Sequence, residues 1–507
     1  MISKEYDVVI IGSGAGGGTV AAELAPIVKA GFKVLLLEQG PRITPAEMTG
    51  NELEMAGALY ADRGGFLTAE GTMSLAFARA YGGSTLVYTG TSLVAPDRVI
   101  RSWGISGLTA ADVARRSSKY IVQNNVHVLP PEELNENNRL FVTGCVGAGF
   151  RAEQFPVNVF GCKGSSLCNL GCPNGAKMGT NAVQLPMAER GGVEVVTRAE
   201  AKRIEERAVI VHVHEKERGQ KGAPSEWPTG EYRIKAKAIV CSGGAIGTPA
   251  LLLRSGFGRR MPALGSKFTC HPALILVAEH DRAITNDVGH PKSFYLDRAV
   301  EEGFVLETCM YFPFITAKNI AGFGAEHSAM MRAFPRLQMI LALACDRATP
   351  GNRVTVDGAG QPVVHYEFTT RVIQSMVRAT RAAARIFFAG GAKRVYAPMA
   401  DPTTIEGADA RRIDQIIDAE HFKAGKITIS AAHLMGGAVM GPGRSTSVTD
   451  GWGRVHGLPW LRIADASLFP DSLEINPYLT IMALADRVAE AVRVDAPALF
   501  GRSVGPS

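Results

Sequence analysis

Two sets of residues in this chain have the types and spacing to do chemistry. The first is Gly12-Ser13-Gly14-Ala15-Gly16-Gly17, with Glu38 downstream. In such a turn Gly12 makes the sharp bend, Gly14 lets backbone approach a pyrophosphate, and Gly17 brings helix against strand. A helix N-terminus entered just after the turn offers N–H groups and positive dipole to phosphates. Glu38 follows about twenty residues later and can accept hydrogen bonds from ribose hydroxyls. The second set is Cys162, Cys168 and Cys172, spaced C-x5-C-x3-C on a Gly-rich loop with Pro173 after the last cysteine. Three thiolates on such a loop can hold an iron–sulfur cluster, and a Pro in that place also occurs in ferredoxin loops. Zinc would ask for a fourth ligand, and no His or fourth Cys is close in sequence. A purely structural loop, or a disulfide in an exported protein, stays open.

The elements needed to hold the glycine turn are present. Tyr6–Ile11 is a short apolar, β-branched run that reads as one buried parallel strand, Thr19–Ala25 reads as helix, Gly31 closes it, and Lys33–Leu37 is the next strand. Strands are expected at Glu194–Thr197, Ala208–Val213 and Arg233–Cys241, with the polar, Pro- and Gly-broken stretch 220–231 as a surface hairpin loop. The last of these strands runs into Ser242-Gly243-Gly244, and a helix is expected to begin after Pro249. Leu461–Ser467 is another strand ending at an acid, and Asn476-Pro477 opens a helix over Tyr478–Val492. Nucleotide-type pieces therefore stand at the start, middle and end of the chain. The expected fold is α/β, with a Rossmann-like, discontinuous nucleotide domain (1–95, 191–267 and 431–500) and an α+β substrate-binding cap (96–190 and 268–430). Strands at 353–356 and 362–366 and an amphipathic helix near 370–388 belong to the cap.

Bulk properties narrow the class. At 507 residues the chain is too long for one ordinary core. A net charge of +6, with no run of like charges and no basic–aromatic interleaving, speaks against nucleic acid as partner. No apolar stretch is long enough to span a membrane; Leu337–Cys345 is bounded by Arg336 and Asp346 and reads as core. The nucleotide strand begins almost at residue 1, which leaves no room for a signal peptide and points to the cytoplasm, with export as passenger of a partner subunit as the alternative. Cys145, Cys241, Cys270, Cys309 and Cys345 stand alone and read as reduced core residues.

Five ordered motifs carry a resemblance that covers essentially the whole chain. They are the glycine turn with Glu38; Tyr81-Gly82-Gly83-Ser84-Thr85; Cys241–Pro249; His433-Leu434-Met435-Gly436-Gly437; and Ala464-Asp465-Ala466-Ser467 with Asn476-Pro477-x-x-Thr480. In this order they resemble the glucose–methanol–choline oxidoreductases, which bind FAD. The resemblance implies that Gly82, Gly83 and Ser84 pass close to flavin and pyrophosphate. It places backbone near Ala201 at the adenine, Gly243 at a second approach to the nucleotide, and Asp465 and Ala466 by the pyrophosphate and ribityl chain. The helix after Pro477 would aim its positive end at the flavin locus where reduction gathers charge. Val87-Tyr88 stand where the family often has an Asn, a departure that leaves that flavin contact without its usual residue.

By the same resemblance the reaction is oxidation of a CH–OH group by hydride transfer to flavin N5. His433 would be the general base, as a neutral imidazole suits, and Asn476 the donor to the substrate oxygen. Read without the family, His433 is as well explained as a core histidine, and Asn476 as a helix cap. His271, between Cys270 and Pro272, reads as structural. Some bacterial sugar dehydrogenases of this family carry a three-iron cluster on similarly spaced cysteines, so a [3Fe-4S] relay on Cys162, Cys168 and Cys172 to a cytochrome subunit is one expectation. FAD is expected to be non-covalent, because the Gly-Gly-Ser segment has no His or Cys. The donor is a small-molecule alcohol or sugar, and the acceptor oxygen, quinone or an electron-transfer protein. A subunit of a multi-component dehydrogenase and a non-redox flavin lyase are the alternatives. Met310, Phe312, Phe314, Phe323, Met330 and Met331 could line an apolar channel, or simply fill core.

Overall fold

The computed structural model describes residues 1–401 and 403–501. Its first sheet has spatial order 194–196, 34–37, 2–11, 230–241, 208–213, 199–205, with 461–463 added beside 230–241. The strands Val34–Leu37, Ile2–Ile11 and Gly230–Cys241 are parallel neighbours. The long strand Gly230–Cys241 serves two partners along its other edge. Its first half pairs antiparallel with Ala208–Val213, forming the hairpin expected around 220–231, and its last residues pair parallel with Leu461–Ile463. Val8, Val9 and Ile10 are fully buried, as a strand covered on both faces requires.

Helix Ala15–Lys29 starts four residues before the expected Thr19 because it begins immediately after the N-cap, Gly14. Helix Gly244–Arg254 likewise starts before Pro249, which it contains. The reason is a cap that sequence spacing hides: the Gly244 N–H donates to the Asp465 carboxylate, which also receives the Thr248 hydroxyl. A side chain more than two hundred residues away thus fixes the first turn.

The second sheet has nine strands, in the order 403–406, 394–397, 273–279, 337–344, 304–308, 294–298, 153–154, with 430–431 and 74–75 attached. Leu337–Ala344 is buried throughout, as its flanking charges suggest. One face packs on helix Thr370–Ala389, where Leu274, Leu276, Phe304, Leu306 and Ala342 meet Met376, Ala383 and Phe387. The other face carries Ala273, Ile275, Val305, Met339, Leu341 and Leu343, with Ile320 and Met330 from the helical segment 313–332 packed on it. Part of that Met- and Phe-rich stretch is therefore core. Its tip is not: Phe323 is 90% exposed and Phe314 50%.

Within 96–190, which the sequence assigns to the cap, helix Glu136–Gly147 does pack on Thr370–Ala389, but Ala110–Gln123 packs on Tyr478–Val494 and Gln184–Arg190 on Ala15–Lys29. Charge explains the second placement. Arg116 is buried and binds Asp112, Asp486 and Glu490, the last at 2.5 Å. Removing one member of a buried ion network leaves its partners uncompensated, so Arg116→Ala should cost about 3–5 kcal/mol in chemical denaturation. An unchanged denaturation midpoint would show that this network does not anchor the helix. Among the described residues no helix is long and apolar enough to cross a membrane.

Candidate active site

Strand register brings the nucleotide motifs to one edge. Ile11 pairs with Leu37 and with Cys241, and Cys241 pairs with Ile463. The chain leaves each strand there, so the turn at Gly12, the carboxylate of Glu38, Ser242-Gly243-Gly244 and Ala464-Asp465 emerge side by side at the carboxyl ends, where open α/β sheets bind ligands.

The glycines are needed for contact. Gly12 has φ +102°, and a Cβ on it would lie 2.4 Å from the Ser242 carbonyl oxygen. On Gly17 it would lie 1.9 Å from the Gly12 oxygen, and on Gly16 only 1.7 Å from that of Ala464. Gly83, at φ +54°, would press a Cβ to 2.6 Å from Gly14 Cα. Gly14 itself differs: a Cβ there would meet nothing nearer than 3.8 Å. Its backbone therefore borders open space at the start of helix Ala15–Lys29, which has no side-chain cap. A cradle of close-packed backbone around one open glycine fits a dinucleotide pyrophosphate.

Ser13 ties three motifs together. Its N–H and hydroxyl donate to Glu38 Oε2 at 3.0 and 2.6 Å, and its oxygen accepts the Gly82 N–H at 2.9 Å. Gly40 N–H donates to Glu38 Oε1 at 2.8 Å, which leaves that oxygen a free lone pair for a hydroxyl donor. Burial raises the Glu38 pKa, against the pull of those hydrogen bonds. Ala201 follows on strand Ala199–Glu205, its carbonyl accepting from Arg254. Ser84 is exposed and accepts from Ala78 N–H. The Ala466 carbonyl accepts the Gly436 N–H, which joins the Asp465 turn to the His433 motif. Tyr88 takes a hydrogen bond from Asn158 and packs edge-on against Tyr478, the first residue of the last long helix.

His433 and Asn476 come together. Asn476 Nδ2 lies 3.2 Å from His433 Nε2. The following helix, with Pro477 at its N-cap, has no side-chain cap, so Asn476 faces the imidazole rather than capping it. On its other side His433 Nδ1 lies 3.0 Å from Nδ1 of His271, and His271 Nε2 lies 3.0 Å from Ser472 Oγ. The reading of His271 as merely structural missed this contact; nothing in Cys270-His271-Pro272 signals it. Burial pushes both imidazoles down to about 3, so both are neutral at ordinary pH. A buried ion pair of Lys292 and Glu307, also unforeseen, acts on the two rings through its charges, the ammonium lowering the pKa of His433 and the carboxylate raising that of His271.

The three clustered cysteines line one cavity with Lys177 and His290. All are free thiols. Cys162 Sγ accepts from Gly164 N–H and Cys172 Sγ from Ala176 N–H, so both sulfurs brace their own loop. Burial pushes the Cys168 thiol up to about 12, and raises Cys162 as well. Lys177, pushed down to about 8 by burial, donates to the carbonyls of Leu86 and Cys168. Metal ligation needs thiolates, and among the described residues no group of three His, Cys, Asp or Glu is arranged to hold a metal ion. The expectation of an iron–sulfur cluster gains no support here. The five isolated cysteines are buried and free.

The chain matches known proteins along most of its length. The N- and C-terminal family models described as GMC oxidoreductase match residues 56–273 and 348–485. An uncharacterized GMC-type oxidoreductase of Mycobacterium tuberculosis is 31% identical over 498 residues, 96% of this chain and 75% of that relative. A long-chain-alcohol oxidase of Arabidopsis thaliana is 27% identical over 515 residues, 94% of this chain and 66% of the relative. The solved structure of pyridoxine 4-oxidase from Mesorbium loti has a TM-score of 0.70 at 18% identity, over 96% of this chain and 99% of its own, a likeness of fold.

Proposed function

The chain belongs to the GMC oxidoreductase family, and on that premise we propose that it binds FAD non-covalently and oxidises a CH–OH group of a small-molecule alcohol or sugar. The observation that carries the reading is the His433–Asn476 pair, 3.2 Å apart at the mouth of the last long helix. The glycine cradle at Gly12, Gly14, Ala15 and Gly17 would hold the pyrophosphate. Glu38 would take the ribose, Ala201 would border the adenine, and Gly82, Gly83, Ser84, Gly243, Asp465, Ala466 and Pro477 would line the rest. FAD, when bound, supplies the hydride acceptor.

His433 and Asn476 do the rest. A substrate hydroxyl between them donates its proton to His433 Nε2, which burial keeps unprotonated and so free to accept it. Asn476 Nδ2–H donates to the same oxygen as negative charge grows on it, without adding a charge of its own. The carbon–hydrogen bond breaks with its electron pair as C=O forms. Asn476→Ala should lower kcat by about 10²–10³-fold with FAD content intact, the usual cost of losing one donor to a developing oxyanion. Anaerobic single-turnover reduction by alcohols measures it. A wild-type rate in that variant would remove Asn476 from the chemistry.

A further inference from the structure

A hydrogen-bonded imidazole has a direction, and that direction decides whether His433 is a base at all. Two polarities are available to the chain Ser472–His271–His433–Asn476. In one, His433 carries its proton on Nδ1 and donates it to His271 Nδ1, His271 Nε2–H donates to Ser472 Oγ, and Asn476 Nδ2–H donates to a free His433 Nε2. In the other the two histidine bonds reverse, the Asn476 amide turns to present Oδ1, and Nε2 carries a proton and can take none.

We infer that His271, held by Ser472, is a positioning residue that fixes His433 as the Nδ1–H tautomer and so leaves Nε2 free to act as base. The inference rests on the reading of His433 as the base. Three observations support it. The Nδ1 to Nδ1 distance of 3.0 Å admits one proton between the rings. His271 and Ser472 are buried, and the His271 ring is hydrogen-bonded at both nitrogens, to His433 and to Ser472. Asn476 sets the direction: its Nδ2, which can only donate, faces His433 Nε2 at 3.2 Å, so Nε2 is the acceptor and the ring proton sits on Nδ1, facing His271.

The test compares two substitutions in the FAD-loaded enzyme. In His271→Asn the amide oxygen stands near the place of Nδ1 and still accepts from His433; in His271→Leu nothing does. His271→Leu should lose about 10²- to 10⁴-fold in kcat with KM within about twofold, the upper figure being the loss when a catalytic imidazole is held in the wrong tautomer. His271→Asn should retain most of the rate. The ¹⁵N shifts of His433, assigned by difference against His433→Asn, read the tautomer without turnover. They should show a protonated Nδ1 in wild type and in His271→Asn, and a mixture in His271→Leu and in Ser472→Ala, which stands in if leucine prevents folding. A protonated Nε2 in wild type overturns the inference, as does a His433 tautomer that none of these substitutions changes. The base reading fails separately, if His433→Asn is itself as fast as wild type.

Discussion

Replacing His433 with alanine should lower the rate of alcohol-driven FAD reduction by about 10³-fold, within the range that a positioned general base supplies. The flavin content of the variant should stay at wild-type level, because the ring's hydrogen bonds run to His271 and Asn476 rather than to the glycine turn or Glu38. The pH dependence follows from burial. Both His433 and His271 are pushed down to about 3, so the fraction of free base is already complete at pH 5 and falls only as pH drops toward that value. The rate constant for reduction should therefore show no acid limb from His433 between pH 5 and 8. A wild-type profile falling below pH 6.5, and flattened by His433→Ala, would show that the ring titrates like an exposed histidine.

Gly14→Ala separates binding from folding. A methyl group on Gly14 meets nothing within 3.8 Å in the folded chain, and the backbone there, at φ −66° and ψ −163°, is one that alanine adopts. Its cost to the protein is that of alanine at a helix N-cap, about 1 kcal/mol. With a pyrophosphate against that backbone, the same methyl is forced into overlap costing about 1–3 kcal/mol, a weakening of FAD binding by about 10- to 100-fold. Gly16→Ala is the contrast, since its methyl would fall 1.7 Å from the Ala464 oxygen with or without a ligand. Titration of the two apoproteins with FAD, alongside their melting curves, checks both. Wild-type FAD affinity in Gly14→Ala would place the pyrophosphate elsewhere.

What sequence spacing reveals in this chain, and what it hides, follows one physical line. The glycine turn, Glu38 and their flanking strands are legible because strand–turn–helix is local, and each residue's task depends on near neighbours. The buried strand Leu337–Ala344 is legible from charges at its two ends. The start of helix Gly244–Arg254 is not, because its cap comes from Asp465. The docking of Ala110–Gln123 is hidden for a similar reason, since the partners of Arg116 lie on the last long helix. At the proposed reacting pair, only the family pattern distinguishes His433 from a core histidine. His271, Ser472 and the Lys292–Glu307 pair are invisible in one dimension, because no spacing along the chain predicts which element the cap sheet lays against the His433 loop. The cysteine spacing brings the three thiols to one cavity, as clustering on a short loop would. The backbone N–H groups that Cys162 and Cys172 accept from are set by the folded loop and are not legible in the spacing.

The measurement closest to the central claim is the visible spectrum of the purified holoprotein under anaerobic conditions, before and after addition of a panel of primary alcohols, sterols, aromatic alcohols and sugars. The account predicts an oxidised flavin spectrum that is released with the cofactor on denaturation and is bleached by at least one class of alcohol, with His433→Ala bleached far more slowly by the same compound. A protein that takes up no FAD, or one whose flavin is bleached equally fast in His433→Ala, would contradict it.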